Sequence, residues 1–580
     1  MEDISRRSFL GAAALGGAAI IGSVAGCTPA GGSTSAASST SGQSSALASS
    51  GGSSVDKAGG DSKASGAPDW LGEPPVINEA DIVEVFDTEV LVVGAGTSGT
   101  FAACFALENG AKVIQINAYG LGNSVRTSAI GAIGSKYQIE AGVEINKEDI
   151  INDQASYALN HCDISLMRLW ADHSAEMINW YGKFLEDNGF KVALEWSMPQ
   201  NVRYKAWPTG HGSAMLEGGR ADEGKVMEAV NKHFVNQGGT FMINTAMLCL
   251  IKENGRVVGI YARNEDEEII RINASKGVVV ATGGYLDNPD MYRALQNGLE
   301  KYLAGPRNHG TAKGDGIKAC LWIGARMDKW PTTMIFDRGA IKPDYPNGQW
   351  LNGGDWIYFY FATQPFLKVA KDGKRITNES APYDFIAHAA QEKPDGAWYQ
   401  IWDTTWKEDV TRFYTYGCST LFLREGSNHH PQGFERIETQ MNEMVDNGYI
   451  VKADTIEDLA RGLLVDVDNL VAEVKNYNKL YEAQYDSQFG KEPFRLSSLD
   501  APPYFGMKIG GVPLCTLDGI VVDTQFRPLD ENNNPIEGVY VIGNDSGGFY
   551  AHTYPNFAPG FNAGRIATAG MLVGKALAKK

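Results

Sequence analysis

The stretch from Asp87 to Asn117 constrains the fold more than any other part of the chain. Asp87 to Val93 reads Asp-Thr-Glu-Val-Leu-Val-Val, an apolar run of strand length. It leads directly into Gly94-Ala95-Gly96-Thr97-Ser98-Gly99. An apolar helical stretch follows from Thr100 to Asn109, and Gly110-Ala111-Lys112 turns into a second strand, Val113 to Asn117. A bare Gly-x-Gly-x-x-Gly is weak evidence, but opening the helix of a complete βαβ unit it specifies a dinucleotide-binding turn. Gly94 permits the tight turn, Gly96 lets a pyrophosphate approach the backbone, and Gly99 lets helix and strand pack closely. The helix N-terminus offers unpaired N–H groups and a positive dipole end to the phosphates. Such units usually end the second strand in Asp or Glu, to hold a ribose. Asn117 stands there instead, so the hydroxyl can still be bonded, but without a charge-assisted bond.

The chain has 580 residues, 43% of them hydrophobic, enough for two or three domains. Its formal net charge of -18 argues against nucleic acid or an anionic membrane face as the main partner. The Cys residues are scattered and form no Cys-x-x-Cys pair. No haem c, iron–sulfur or zinc spacing is therefore present, and no metal is expected.

The N-terminal segment reads as an address and a tether. Ser5-Arg6-Arg7-Ser8-Phe9-Leu10 fits a twin-arginine export signal, and the short apolar stretch from Gly11 to Gly26 fits its h-region. Val24-Ala25-Gly26-Cys27 resembles a lipobox, which makes residues 1–26 the signal peptide and Cys27 the expected lipidation site. Up to residue 66 the chain is dominated by Ser, Gly, Ala and Thr. It cannot bury enough apolar surface to fold, so residues 27–66 form the lipidated Cys and a flexible linker. Ser65-Gly66-Ala67 lacks the Thr of a covalent FMN attachment motif.

Later segments extend the pattern. Gly122-Asn123-Ser124 and Ser128 to Gly131 follow the second strand. The region from Gly239 to Gly259 reads as strand, turn, strand around Glu253-Asn254-Gly255-Arg256. Gly277 to Gly284 is a strand ending in an Ala-Thr-Gly-Gly turn, Gly314-Asp315-Gly316 opens a helix, and Val539 to Asp545 is a late strand and turn. Together these segments resemble the FAD-binding flavoproteins of the fumarate reductase and succinate dehydrogenase superfamily. Urocanate reductases and 3-ketosteroid dehydrogenases are in the same group. The resemblance covers residues 85 to 580. It implies an α/β fold in which a Rossmann-like FAD-binding domain is split in sequence, residues 67–324 and 516–580, around an inserted α+β capping domain, residues 325–515. It implies non-covalent FAD held by Gly94, Ala95, Gly96, Ser98, Gly99 and Asn117 of the first unit, and by Gly122, Asn123, Ser124, Ser128, Ile130, Gly131 and Met247. Thr282, Gly283, Gly284, Asp315, Gly543, Asn544, Gly560 and Phe561 complete the implied set.

The chain departs from the resemblance where carboxylates would be clamped. A family His-Pro-Thr segment is present as Trp330-Pro331-Thr332. In the segment Asn378 to Asp384, Tyr383 replaces the proton-donating Arg, and Cys515 stands in place of a His. The last family Arg aligns with Tyr554. Cations are thus exchanged for aromatics and a thiol, which suits a neutral, ring-containing substrate held by Trp330, Tyr383, Cys515 and Tyr554. Two buried carboxylates without cationic partners would cost several kcal/mol. Tyr383 is the first candidate proton donor and Tyr554 the second, either as donor or as a hydrogen bond to a substrate carbonyl. His211, His309 and His552 lie near Gly-rich segments and read first as structural. Arg126 adjoins the implied flavin segment with its role open.

The expected activity is an exported, lipid-anchored reductase of an unsaturated small molecule at the outer face of the membrane. Specialised relatives would reduce plant-derived or steroid-like molecules such as cardiac glycosides. Its electrons would come from a separate donor such as a membrane-linked cytochrome c or quinol-oxidising module. Two alternatives stay open: a dehydrogenase that introduces a double bond, and a flavin electron carrier or ligand-binding lipoprotein without catalysis.

Overall fold

A computed structural model describes residues 68–120, 126, 129–195, 202–219, 221–306, 310–349, 354–421, 433–554 and 556–580. Strand β1 (Ile82–Val93) begins half exposed and is fully buried from Val90 to Val93, as its apolar run requires. Burying each of those valines contributes about 1.5–3 kcal/mol. Helix α1 (Thr97–Glu108) starts before Thr100, because the residues after Gly96 already turn helically. Strand β2 (Val113–Ile116) pairs in parallel with β1, Val90 opposite Val113, and Asn117 falls just beyond its end. A long helix, α2 (Ile164–Asp187), buries Trp170, Met177, Tyr181 and Leu185 along one face. It packs beside a three-stranded antiparallel sheet of Ile130–Gly131, Gly210–Met215 and Phe190–Leu194.

The main sheet continues with β3 (Thr240–Met242), β4 (Ala246–Glu253), β5 (Arg256–Arg263) and β6 (Ile269–Val280). Its order is β3-β2-β1-β6-β5-β4. The β4–β5 hairpin turns at Asn254 and Gly255, both with positive φ (50° and 82°), as a tight primed turn requires. Helix α3 (Asp315–Trp322) follows.

The chain then builds a second, antiparallel sheet from β7 (Thr333–Ile341), β8 (Trp356–Tyr358), β9 (Leu367–Val369), β10 (Trp398–Trp402), β11 (Ile450–Ala453) and β12 (Tyr504–Thr516). The order is β8-β7-β12-β10-β9, with β11 also on β12. Helix α4 (Tyr383–Gln391) interrupts this sheet's sequence and packs on β7. All nine residues of β7 are buried.

After β12 the chain returns to the first sheet. Strand β13 (Val539–Val541) pairs in parallel with β6, Val541 opposite Val280. Helix α5 (Phe561–Lys579) closes against α1. A Cβ on Gly570 or Gly574 would run into the α1 backbone at Ser98 and Ala102, so glycine sets the close approach of the two helices. The architecture is α/β: a dinucleotide-binding sheet completed from both ends of the described chain, with an α+β insertion between.

Candidate functional site

The ends of β1, β2 and β6, the starts of α1, α3 and α5, and the inner face of β7 and β12 converge on one cavity of about 620 Å³. That size suits a cofactor with a small ligand beside it. Three helices begin at or beside its wall, with Gly96, Gly314 and Gly560 as their N-caps, and these glycines offer no capping side chain. In α3 the Gly316 N–H is taken by Thr282 Oγ1, whereas α1 and α5 show no such side-chain bond among the described residues. Unpaired amides at such a wall are anion-binding groups. The turn itself has no room for side chains. A Cβ on Gly94 would collide with the Ala281 carbonyl, and one on Gly99 with the Gly94 carbonyl. The cradle thus fits the pyrophosphate of a dinucleotide.

Asn117 lines the cavity beyond β2, and its Nδ2 donates to the carbonyls of Tyr119 (2.9 Å) and Gly120 (3.0 Å). A carboxylate could not donate to these carbonyls, which gives a local reason for Asn over Asp or Glu. Asp545, absent from the sequence-based set, ties three elements together. Its buried carboxylate accepts from the Thr282 backbone N–H, from Thr282 Oγ1 at 2.9 Å and from the Gly284 N–H at 2.8 Å. Thr282 Oγ1 in turn accepts from the Gly316 N–H at 3.1 Å. Burial pushes the Asp545 carboxyl above its usual range, and these donors pull against it.

The cap-side end of the cavity is lined by Met334, Phe336, Tyr383, Gly417, Leu514, Cys515, Asn544 and Tyr554. Tyr383 opens α4, and its ring meets Phe336 edge-on, 4.8 Å between centroids at 84°. Tyr554 packs against Tyr550 at 5.4 Å, and its backbone N–H donates to Asp384 Oδ2 at 3.1 Å. Asp384 is fully buried, with His388 Nε2 3.4 Å away. Burial raises its carboxyl, and His388 opposes the rise. Burial pushes the Cys515 thiol up to about 12, so it stays neutral.

The cavity wall brings together Gly94, Ala95, Gly96, Ser98, Asn117, Met247, Thr282, Gly283, Asp315, Asn544, Gly560, Tyr383, Cys515 and Tyr554. Other expected residues stand behind it. Gly99 packs on the Gly94 turn, and Gly131 donates its N–H to the Gly560 carbonyl at 2.8 Å. Ile130 is core, Gly284 bonds Asp545, and Gly543 abuts Ser98. Phe561 is a core anchor, its ring 4.5 Å from that of Trp170, and not a cavity contact. Trp330 is not among the residues lining the cavity; it stacks on His161, centroids 3.9 Å apart at 3°. Phe336 takes the wall position expected of Trp330. Nothing in the sequence marked Phe336, because its role depends on which face of β7 points inward.

His211 is structural. It is buried, bonded to Ser135 Oγ at 2.8 Å and to the Thr209 carbonyl at 2.8 Å, and burial lowers it to about 4. His552 lies outside the cavity wall, 2.8 Å from His161. Arg126 lines the cavity, and its backbone N–H donates to Thr97 Oγ1 at 2.7 Å. Gly122, Asn123, Ser124, Ser128, His309 and Cys27 lie outside the described residues.

A split dinucleotide-binding sheet, a cap, and a cavity running from uncapped helix starts to a pair of buried tyrosines define a flavoprotein oxidoreductase. Residues 89–557 match the FAD binding domain family, and the chain belongs to it; its cofactor is FAD. The chain is 24% identical over 494 residues to the vinyl phenol reductase of Lactiplantibacillus plantarum, covering 84% of this chain and 95% of that one. It is 29% identical over 399 residues to the 3-oxosteroid 1-dehydrogenase of Mycobacterium tuberculosis, covering 63% and 64%. A probable fumarate reductase of Shewanella frigidimarina is 25% identical over 469 residues, covering 80% and 71%. In fold it is similar to the open conformation of a flavocytochrome c3 fumarate reductase, at 23% identity and a TM-score of 0.62, covering 86% and 79%. It is also similar to a 3-ketosteroid dehydrogenase from Rhodococcus jostii, at 20% identity and 0.63, covering 87% and 99%.

Proposed function

We propose that this enzyme reduces the C=C bond of a neutral, ring-containing unsaturated small molecule. The observation that carries the reading is the composition of the cavity's cap-side end: Phe336, Tyr383, Tyr554, Met334, Leu514 and Cys515, with no cation among the described residues that line it. Of the described lining cations, Arg126 is tied to the dinucleotide-binding unit through its backbone N–H on Thr97 Oγ1, and Lys313 Nζ lies 5.8 Å from the Tyr119 ring centroid. A dicarboxylate would be buried at the cap-side end without a bidentate partner. Flat apolar walls and phenol hydroxyls suit a ring and a carbonyl or phenol oxygen.

Bound FAD supplies the hydride. Tyr383 donates the proton to the neighbouring carbon, and Tyr554 orients the substrate as a second donor. A positioned phenol of this kind contributes roughly 10²–10⁴-fold. The aromatic walls exclude water from the reacting carbons. The twin-arginine segment and Cys27 support export and lipid anchoring of the mature protein, with electrons from a separate membrane-linked donor. Among the described residues no helix is long and apolar enough to cross a membrane. The likeness to 3-oxosteroid 1-dehydrogenases supports a second reading, flow in the opposite direction over the same tyrosines.

The test is anaerobic oxidation of reduced viologen by the purified protein. Carboxylate acceptors such as fumarate, urocanate and cinnamate-type acids are set against neutral vinyl phenols, enones and steroid-like lactones. Turnover confined to neutral acceptors and lost in Tyr383→Phe is expected. Turnover of fumarate would overturn the substrate reading. Activity only with saturated substrates and an artificial oxidant would favour the dehydrogenase.

A further inference from the structure

Arg338 lies behind the aromatic wall of the substrate end. It sits on β7 two residues after Phe336, where the pairing of β7 with β12 is interrupted by a bulge between Phe336 and Gly339. Arg338 is fully buried, and it is not among the residues lining the cavity. Its guanidinium carbon is 4.8 Å from the Phe336 ring centroid and 5.7 Å from that of Tyr383, the distance range of a cation–π contact. The fork is held by hydroxyls: Nε donates to Thr363 Oγ1 at 2.6 Å, one terminal nitrogen to Tyr358 Oη at 3.0 Å and the other to Ser419 Oγ at 3.1 Å. A cation is thus placed beside the candidate proton donor, where Phe336 and Tyr383 shield it from the substrate.

We infer that Arg338 is a positioning residue that acts on the reaction through Tyr383, by stabilising the phenolate left when Tyr383 gives up its proton. The inference rests on the proposed donor role of Tyr383. In the step, the Tyr383 O–H bond breaks and a C–H bond forms on the substrate carbon next to the one that receives the cofactor's hydride. The phenolate then regains its proton from solvent between turnovers. Arg338 keeps its own protons throughout, as guanidinium groups do. Its charge lowers the energy of the state in which Tyr383 is anionic, and a weakly screened cation at this range shifts a phenol by on the order of one to two pH units.

Among the described residues, His388 on the same helix is engaged by Asp384, and the acids and the thiol nearest Tyr383 do not supply this charge. Asp384 on the same helix is an acid, and its carboxylate faces His388 and the Tyr554 amide. Across the cavity, Cys515 is held as a neutral thiol by burial. Asp337 is the acid nearest to Arg338 in the chain, but Thr363 intervenes, accepting from Arg338 and donating to Asp337 Oδ1 at 2.8 Å. Tyr358 and Tyr360 present only phenol rings to the guanidinium, at 5.8 and 5.1 Å. The arrangement separates two tasks. The wall that meets the substrate stays uncharged, and the charge needed for proton donation is stored behind it.

The experiment is the pH dependence of kcat and KM for the holoenzyme with a turned-over neutral acceptor, in wild type, Arg338→Lys, Arg338→Met and Tyr383→Phe. Flavin absorbance and thermal unfolding serve as controls for the fold. In Arg338→Met the alkaline limb of kcat moves up by about one to two pH units. Turnover at neutral pH falls roughly 3–30-fold, because the phenol is a weaker acid. KM changes by less than about 3-fold, since Arg338 stands behind the wall. Arg338→Lys, which keeps the charge, restores the limb. Arg338→Gln replaces the Met variant should the latter not retain flavin. An unmoved limb in the neutral variants, or a rise in KM with kcat unchanged, overturns the inference. Full activity in Tyr383→Phe would sink the donor reading itself. Loss of activity in Tyr383→Phe with an unmoved limb in Arg338→Met sinks only the role given to Arg338.

Discussion

The backbone N–H of Tyr554 donates to Asp384 Oδ2 at 3.1 Å, so the segment carrying one cavity-lining tyrosine is fastened to the helix that starts with the other. Tyr554 comes from the returning C-terminal part of the chain and Tyr383 from the cap. This bond is one of the contacts that join the two segments, which local sequence does not bring together. In Asp384→Ala the Tyr554 amide loses its acceptor in a buried site, which costs about 1.5–3 kcal/mol. A roughly 10–100-fold fall in kcat/KM with flavin retained is expected. Asp384→Asn keeps an acceptor and should stay within about 5-fold. Steady-state kinetics on flavin-loaded protein decide this.

Gly99 carries no contact with the cavity, yet its replacement should empty it. A methyl group there meets the Gly94 carbonyl, so the turn must move away from the amides of α1. Each phosphate hydrogen bond lost weakens FAD by about 10–100-fold. Gly99→Ala is expected to purify with little flavin and to regain it only at high added FAD, read by absorbance at equilibrium. Retention of full flavin would show that the pyrophosphate does not bind this turn.

Asp545 should matter as much to the cofactor as the glycines do. Its removal leaves the Thr282 and Gly284 amides without their acceptor, at about 1–3 kcal/mol each. Asp545→Ala is expected to lower the thermal midpoint and to lose flavin together, whereas Asp545→Asn loses less of both. Thermal unfolding followed by flavin fluorescence reads the two effects at once.

Stability should fall between about pH 4 and about pH 7 because of Asp518. This carboxyl is buried where β12 leads back to the first sheet, and it is bonded to Tyr285 Oη at 2.5 Å, Gln296 Nε2 at 2.9 Å and the Thr332 N–H at 3.2 Å. Burial raises it from 3.8 to about 7, with those donors opposing. The folded chain therefore holds a proton that the unfolded chain releases. This contribution is complete below about pH 4 and is lost as pH rises through about 7. Urea midpoints should decline over that window in wild type and flatten in Asp518→Asn, where the side chain is neutral throughout.

The dinucleotide-binding unit was legible in the sequence because its chemistry is local. Gly94, Gly96 and Gly99 act through backbone dihedrals and close approach, and strand, turn and helix follow one another without a gap. The same holds for the Ala281 to Gly284 turn and for the hairpin at Asn254 and Gly255. Tyr383, Cys515 and Tyr554 were found through a family resemblance and not through any periodicity, and the structure brings all three to one end of one cavity. The choice of Phe336 over Trp330 as the wall, the binding of two turns by Asp545 and the placement of Arg338 beside Tyr383 were decided only in three dimensions. Each depends on which face of a buried strand points inward, or on residues more than 40 positions apart meeting across a sheet. A pattern of side chains along the chain carries the period of a helix or strand, but it does not carry the register in which two distant strands pair.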